Sequence, residues 1–294
     1  MKGYRPEEIH IVKVDCADDC LYSDIPLLGV EQGAAHGTAL PDREEDIVQI
    51  AENFRQAISN KDVEIYRIEQ PIRGAGAVFL SRIIRNGCEG IQIEDIVVKG
   101  PFRGAGLGSA LIKFVTALAV RENRNFVSWE CETHNHAQKF YRQVGADKLE
   151  GIVPFRISRA LLETAFREVQ PNNQVISDVQ FSVSKRFSLF RTMSHQIPGF
   201  DLPPEEQWLG LQIDDIYFDS VDDAVSILTS LFADFDNREG IWFVDLIIPP
   251  DSRKHVELAE RFGCKQNSYS GGDTACLWEL KGMPFKQAAN YFNQ

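Results

Sequence analysis

The sequence predicts an α+β (mixed α/β) fold: a central twisted, mostly antiparallel sheet flanked by helices, followed by a second unit built as a partial or degenerate copy of the first. Three observations predict it. Three strand-like runs follow one another between residues 63 and 98 across tight turns, the pattern of an antiparallel meander. The last run leads into "GPFRGAGLGSAL" (100–111), with four glycines in nine positions at the mouth of an apolar-striped helix. The part of the chain beyond residue 178 then repeats short stretches of the part before it.

The elements follow in order. "IHIVKV" (9–14) reads as a strand, and 20–32 and 42–58 read as helices. The second helix carries Ile47, Ile50, Ala51, Phe54, Ala57 and Ile58 at helical spacing, with Asp42 as its N-cap. "VEIYRIEQ" (63–70) alternates as a strand does. "GAVFLSRIIR" (76–85) and "GIQIEDIVV" (90–98) flank Asn86-Gly87, a hairpin dipeptide. The helix after the glycines runs to about Arg121, with Leu107, Ala110, Leu111, Phe114, Ala117 and Leu118 on one stripe. "NFVSWECE" (125–132) is a strand and 134–145 a helix ending at Gly145. "IVPFRI" (152–157) and a short helix from Ser158 close the unit. Residues 1–168 form the first domain, 169–178 a polar linker and 179–294 the second domain. The second contains strands at 179–192 and 207–218, a helix at 220–235, a strand at 240–248, a helix at 251–263 and a strand at 275–280.

Bulk properties narrow the class. At 294 residues a sizeable core is available. A net charge of −12 argues against nucleic acid as a partner, which calls for a basic stripe. It leans towards a cationic small molecule. No run of about 18 apolar residues offers a membrane span, and "MKGYRPEEIH" lacks the apolar core of a signal peptide. Cysteines 16, 20, 88, 131, 264 and 276 include no second close pair at metal-ligand spacing. The expectation is reduced, mostly buried thiols in a cytoplasmic protein that holds no metal.

A glycine-rich turn opening a helix exposes bare N–H groups at the positive end of the helix dipole, which suits phosphate. Arg103 adds a forked cation there. The stretch is not GxxxxGK[ST], and Gly104-x-Gly106-x-Gly108 followed by Ser109 fails GxGxxG. A dinucleotide binder is therefore disfavoured. What stands there is Arg103-Gly104-Ala105-Gly106-Leu107-Gly108, matching [Q/R]-x-x-G-x-[G/A].

With Asn135, Ala137 and the pair Phe140-Tyr141 behind that loop, residues 90–146 resemble the GCN5-related N-acetyltransferase (GNAT) superfamily. Within it, "IEDIVVKGPFRGAGLGSALI" and "VSWECETHNHAQKFYRQVGADKL" look most like the spermidine/spermine-type acetyltransferases. The resemblance implies acetyl-CoA as cosubstrate, with no metal. It implies that Ile96, Val97 and Val98 hold the pantetheine arm by their backbone. Arg103, Gly104, Ala105, Gly106, Leu107, Gly108 and Ser109 would hold the diphosphate, and Asn135 the CoA arm. Tyr141 would be the general acid for the leaving thiolate. Glu94 would be the base, through water, with Asp95 on the opposite face of the strand. His134 and His136 are rival bases. Ser128, Glu130 and Glu132 share one face of their strand and could receive a cationic amine. Val97 N–H is the expected donor to the developing oxyanion.

The second half echoes the first. "GLQIDDIYF" (210–218) follows "GIQIEDIVV" at an offset of 120, and "ELAERFGCKQ" (257–266) follows "KFYRQVGADK" at 118. The copy has "DDAVSIL" (222–228) where the first has its glycines, and Ala259 where the first has Tyr141. It is expected to bind no acetyl-CoA and to take a dimer partner's place, giving a monomer with pseudo-dimeric halves, or a homodimer through another surface. The function expected is N-acetyl transfer to a primary amine by direct attack. A non-catalytic acyl-CoA sensor or interaction scaffold is the alternative. Acceptor loops are expected at 20–42 and 148–156.

Overall fold

The computed structural model describes residues 3–17, 23–35, 44–85, 87–133, 135–149, 153–158, 180–187, 209–239, 243–249, 252–262, 265–266, 268–269 and 273–280. Two mixed sheets carry the fold. In chain order the first half contributes β1 (His10–Lys13), α1 (Asp24–Ala35), α2 (Glu44–Ser59), β2 (Glu64–Gln70), β3 (Gly76–Arg85) and β4 (Cys88–Val98). It continues with α3 (Leu107–Arg121), β5 (Phe126–Glu132), α4 (Ala137–Gln143), β6 (Asp147–Lys148) and β7 (Val153–Ser158). The second half contributes β8 (Gln180–Phe187), β9 (Leu209–Tyr217), α5 (Val221–Glu239) and β10 (Phe243–Ile248). α6 (Arg253–Arg261), β11 (Lys265–Gln266), β12 (Ser268–Tyr269) and β13 (Asp273–Leu280) complete it. Asp42 and the helix expected from Ser158 lie outside the described residues.

The meander forms as its turn residues dictate. β1 to β4 pair antiparallel in sequence order. Arg85 faces Cys88 across the two-residue turn, where Gly87 has φ +67°, as a tight hairpin requires. β4 then pairs parallel with β5 from Gly90↔Phe126 to Ile93↔Trp129, and α3 makes the crossover. Gly90 is dictated by close approach: a Cβ there would lie 2.4 Å from the Phe126 ring.

The last strands are exchanged. β5 is flanked on its far side by β13, antiparallel, with Trp278 opposite Trp129. β7, which precedes the second half, pairs with β10 of the second sheet. The sheets therefore run β1-β2-β3-β4-β5-β13-β12, with β6 on β13, and β11-β7-β10-β9-β8. The expectation that "IVPFRI" closes the first unit is corrected: an open edge is satisfied by any strand that reaches it in register, and here each half receives its neighbour's. Residues 153–156, expected as acceptor loop, are consequently strand, and α1 occupies most of 20–42.

The echo noted in the sequence has a counterpart in hydrogen bonding. Gly210↔Phe243 opens the parallel pair β9–β10, as Gly90↔Phe126 opens β4–β5. Two apolar clusters flank the first sheet. One gathers α3 and α4 side chains with Ile91, Ile93, Val127, Trp129 and Tyr141. The other joins Ile25, Leu28, Phe54, Phe79 and Val97 to Leu211, Ile213, Val244 and Leu246, so both halves share one core. A buried ion pair also joins the halves, Arg85 to Asp214 at 3.3 Å, with Gln212 donating to Asp214 at 2.8 Å.

Candidate active site

The parallel pairing of β4 with β5 stops at Ile93↔Trp129. Beyond it β4 and β5 are no longer paired; the gap between them is the candidate cleft, and β4 leads from it into the turn that heads α3. β4 is irregular at this point: Phe79 faces Asp95 but Leu80 faces Ile93, which leaves Glu94 as an extra, bulged residue. The bulge changes the phase of the side chains. Ile91 and Ile93 pack on the α3 side, and so do Ile96 and Val98, while Val97 packs on the α1–α2 side. Glu94 and Asp95 therefore both lie on the face of Phe79 and Ser81. The expectation that Asp95 points away from Glu94 assumed uninterrupted alternation and is corrected.

The two carboxylates are unlike. Ser81 Oγ donates to Glu94 Oε1. Asp95 Oδ1 accepts the N–H of Ile96 at 2.7 Å. Burial pushes the Asp95 carboxyl up to about 7; the Ile96 N–H opposes this, and the Glu94 charge adds to the rise. The sequence pattern places Asp95 on the wrong face, and only the bulge brings it beside Glu94.

The loop behind the cleft is built on a short 3₁₀ turn (Gly100–Phe102). Gly104 and Gly106 take φ +75° and +89°, and a Cβ on either would meet nothing within 4 Å. The backbone conformation favours glycine, and the space above it stays clear. Among the described residues, no group accepts a hydrogen bond from the N–H of Gly104, Ala105, Gly106, Leu107, Gly108 or Ser109. Six donors in succession at the head of α3 form an anion cradle. Arg103 contributes differently from expectation. Its N–H closes the turn onto Gly100 O at 3.2 Å. Its guanidinium bonds Val98 O at 2.9 Å and stands 3.6 Å from Glu31.

The end of β4 has a definite polarity. Lys99 N–H donates to Ala75 O, so by antiparallel alternation Val97 also bonds towards β3. Val97 N–H as oxyanion donor is corrected on that ground: it faces its partner strand. The backbones of Ile96 and Val98 face the cleft.

α4 places its residues by packing. Tyr141 is buried, its ring edge-on to Trp129 at 5.1 Å and 5.4 Å from Phe140. Since Trp129 belongs to the last paired rung, the phenol stands beside the fork. Asn135 Oδ1 accepts from Ala137 N–H at 2.8 Å and so caps α4. His136 is exposed, and His134 lies outside the described residues. Ser128 is fully buried and donates to Gln92 at 2.6 Å. It is not free to receive an amine, which corrects that expectation; Glu130 is partly exposed.

Residues 61–145, which include β2 to α4, match the sequence profile of the acetyltransferase (GNAT) domain. The chain carries a GNAT acetyltransferase domain. The domain makes it an acyl-CoA-dependent N-acetyltransferase with acetyl-CoA as cosubstrate. Similar solved structures include a GCN5-related N-acetyltransferase from Kribbella flavida, at 12% identity over 94% of this chain and 72% of that one, with a TM-score of 0.42. A tandem GNAT protein from the clavulanic acid biosynthesis pathway matches at 12% identity over 93% and 98%, with a TM-score of 0.44. A GNAT-family acetyltransferase from Staphylococcus aureus Mu50 matches at 15% over 48% and 87%, with a TM-score of 0.37.

The GNAT domain fits its cosubstrate by its own geometry: unengaged N–H groups, clear space over two positive-φ glycines and a parted pair of strands. No group of three or more His, Cys, Asp or Glu able to hold a metal occurs among the described residues. No helix among them is long and apolar enough to cross a membrane. The described thiols depart from expectation: Cys131 is buried, but Cys16 is half-buried and Cys88 exposed.

Proposed function

We propose that the GNAT domain acetylates a primary amine of a small cationic molecule by direct attack on the thioester. The N–H groups of Gly104 to Ser109 hold the diphosphate. The backbones of Ile96 and Val98 hold the pantetheine arm, and Asn135 borders it. Glu94, next to Asp95, takes the proton of the incoming amine through water; a carboxylate at this bulge is close to the cleft and polarised by its neighbour. The Val98 N–H, which faces the cleft, meets the charge that develops on the carbonyl oxygen. The C–N bond forms, the C–S bond breaks, and Tyr141 gives its phenolic proton to the departing thiolate. The paired acids and the net charge of −12 favour a cationic acceptor.

Residues 179–294 serve as a degenerate GNAT-like unit that binds no acetyl-CoA and completes the first sheet. The chain works as a cytoplasmic monomer with pseudo-dimeric halves. The observation that carries this reading is the run of unengaged N–H groups at the head of α3, beside the parted strands.

The test is a thiol-release assay with acetyl-CoA across polyamines, amino sugars, amino acids and lysine peptides. Turnover with a small cationic amine, intersecting double-reciprocal lines and one acetyl-CoA per sedimenting monomer are expected. Tyr141→Phe should lower kcat about a hundredfold while acetyl-CoA affinity stays within about twofold. Binding without turnover on any amine would favour an acyl-CoA sensor instead.

A further inference from the structure

We propose that the indole N–H of Trp129 is a hydrogen-bond donor to a carbonyl oxygen in the acyl-pantetheine end of the cosubstrate. The proposal rests on the reading of the cleft between β4 and β5 as the acetyl-CoA site. Trp129 Nε1 is buried and has no hydrogen-bond partner among the described residues, and the residue is 3% exposed. An indole carries one donor and no acceptor, so only an acceptor brought to this N–H satisfies it. Buried polar groups are nearly always paired in native proteins, and an exception calls for an account.

Its position supplies one. Trp129 and Ile93 form the last rung before the strands part. The ring packs in the cluster that contains Leu107, Ala110 and Leu111, the first turns of the helix whose head is the anion cradle. It also meets the ring of Tyr141 edge-on. A ligand with its diphosphate at that cradle and its arm between the strands brings few polar atoms to this depth. They include the amide carbonyls of the arm and the carbonyl of the thioester, each an acceptor that this donor can meet. The indole offers the complementary group beside the residue proposed as acid. It is a binding and positioning donor, since it holds the arm and transfers no proton.

The experiment uses the full chain labelled with ¹⁵N. The Trp129 indole resonance is assigned by its disappearance in Trp129→Phe, which keeps an aromatic ring. Acetyl-CoA should move that resonance downfield in the wild type. Calorimetry should show about tenfold weaker acetyl-CoA binding in Trp129→Phe, the loss of one net hydrogen bond. The ligand-free variant should melt lower only by what the smaller ring loses in packing, so affinities are compared at a temperature where both proteins are folded. An unmoved resonance with affinities within twofold, in a wild type that binds acetyl-CoA, would overturn the proposal alone. A wild type that gives no heat with acetyl-CoA would overturn the site as well.

Discussion

Asp95 shows how one residue's environment sets its chemistry. Ordinary carboxyls are ionised well below neutrality, but burial and the Glu94 charge bring this one to about 7. A folded-state value raised above 3.8 means that the native protein holds the proton more tightly than the unfolded chain. The stability this group contributes is therefore full below about pH 4 and is lost as pH rises through about 7. Asp95→Asn should raise the melting temperature relative to wild type at pH 8 and not at pH 4, in paired thermal scans. In the wild type, ionisation of Asp95 beside Glu94 should give kcat/KM for the amine an acid limb near pH 7. That limb should vanish in Asp95→Asn if the pair acts together, and an unchanged pH profile would assign Asp95 to packing alone.

At the scale of the element, the loop and α3 form one device. The helix begins at Leu107 because Gly106, in the left-handed region, turns the chain into it. Its buried face is wider than the stripe expected, taking in Ile112, Val115 and Ala119 as well as Leu107, Ala110, Leu111 and Leu118. That burial fixes the helix axis and hence the direction of the free N–H groups. A side chain at position 106 would strain the turn by about 1–2 kcal/mol and intrude on the space above it. Gly106→Ala should weaken acetyl-CoA binding by tenfold or more in calorimetry. The same loss of stability without loss of affinity would show that the glycine serves the turn and not the ligand.

At the scale of the whole molecule, three features bind the halves: the shared apolar core, the exchange of β7 and β13, and the buried pair Arg85–Asp214. Arg85 also lies over the Phe126 ring at 5.4 Å, where Phe126 in turn requires Gly90. Asp214 is the residue at which the repeat "GLQIDDIYF" matches Glu94 of the first half. In the second half this carboxylate is therefore occupied by a cation from the first. Removing one member leaves an uncompensated buried charge. Arg85→Met should cost about 3–5 kcal/mol in chemical denaturation, and adding Asp214→Leu should restore much of it. Single and double variants with equal loss would mean that the charges do not meet in solution.

The sequence by itself determined the meander, the glycine turn into α3, the helix carrying Tyr141 and the repeat, because each rests on local chemistry. Turn glycines, period-2 and period-3.6 apolar spacing and a run of bare N–H groups are all written within about twenty residues. Only the tertiary structure decided the rest. The bulge at Glu94 is a mismatch between two strands and has no signature in one of them, yet it alone puts Asp95 beside Glu94. The polarity of Val97 depends on which hydrogen-bonding phase β3 imposes. β7 and β13 are both ordinary apolar strands, and which open edge each one fills depends on how the two halves meet in space.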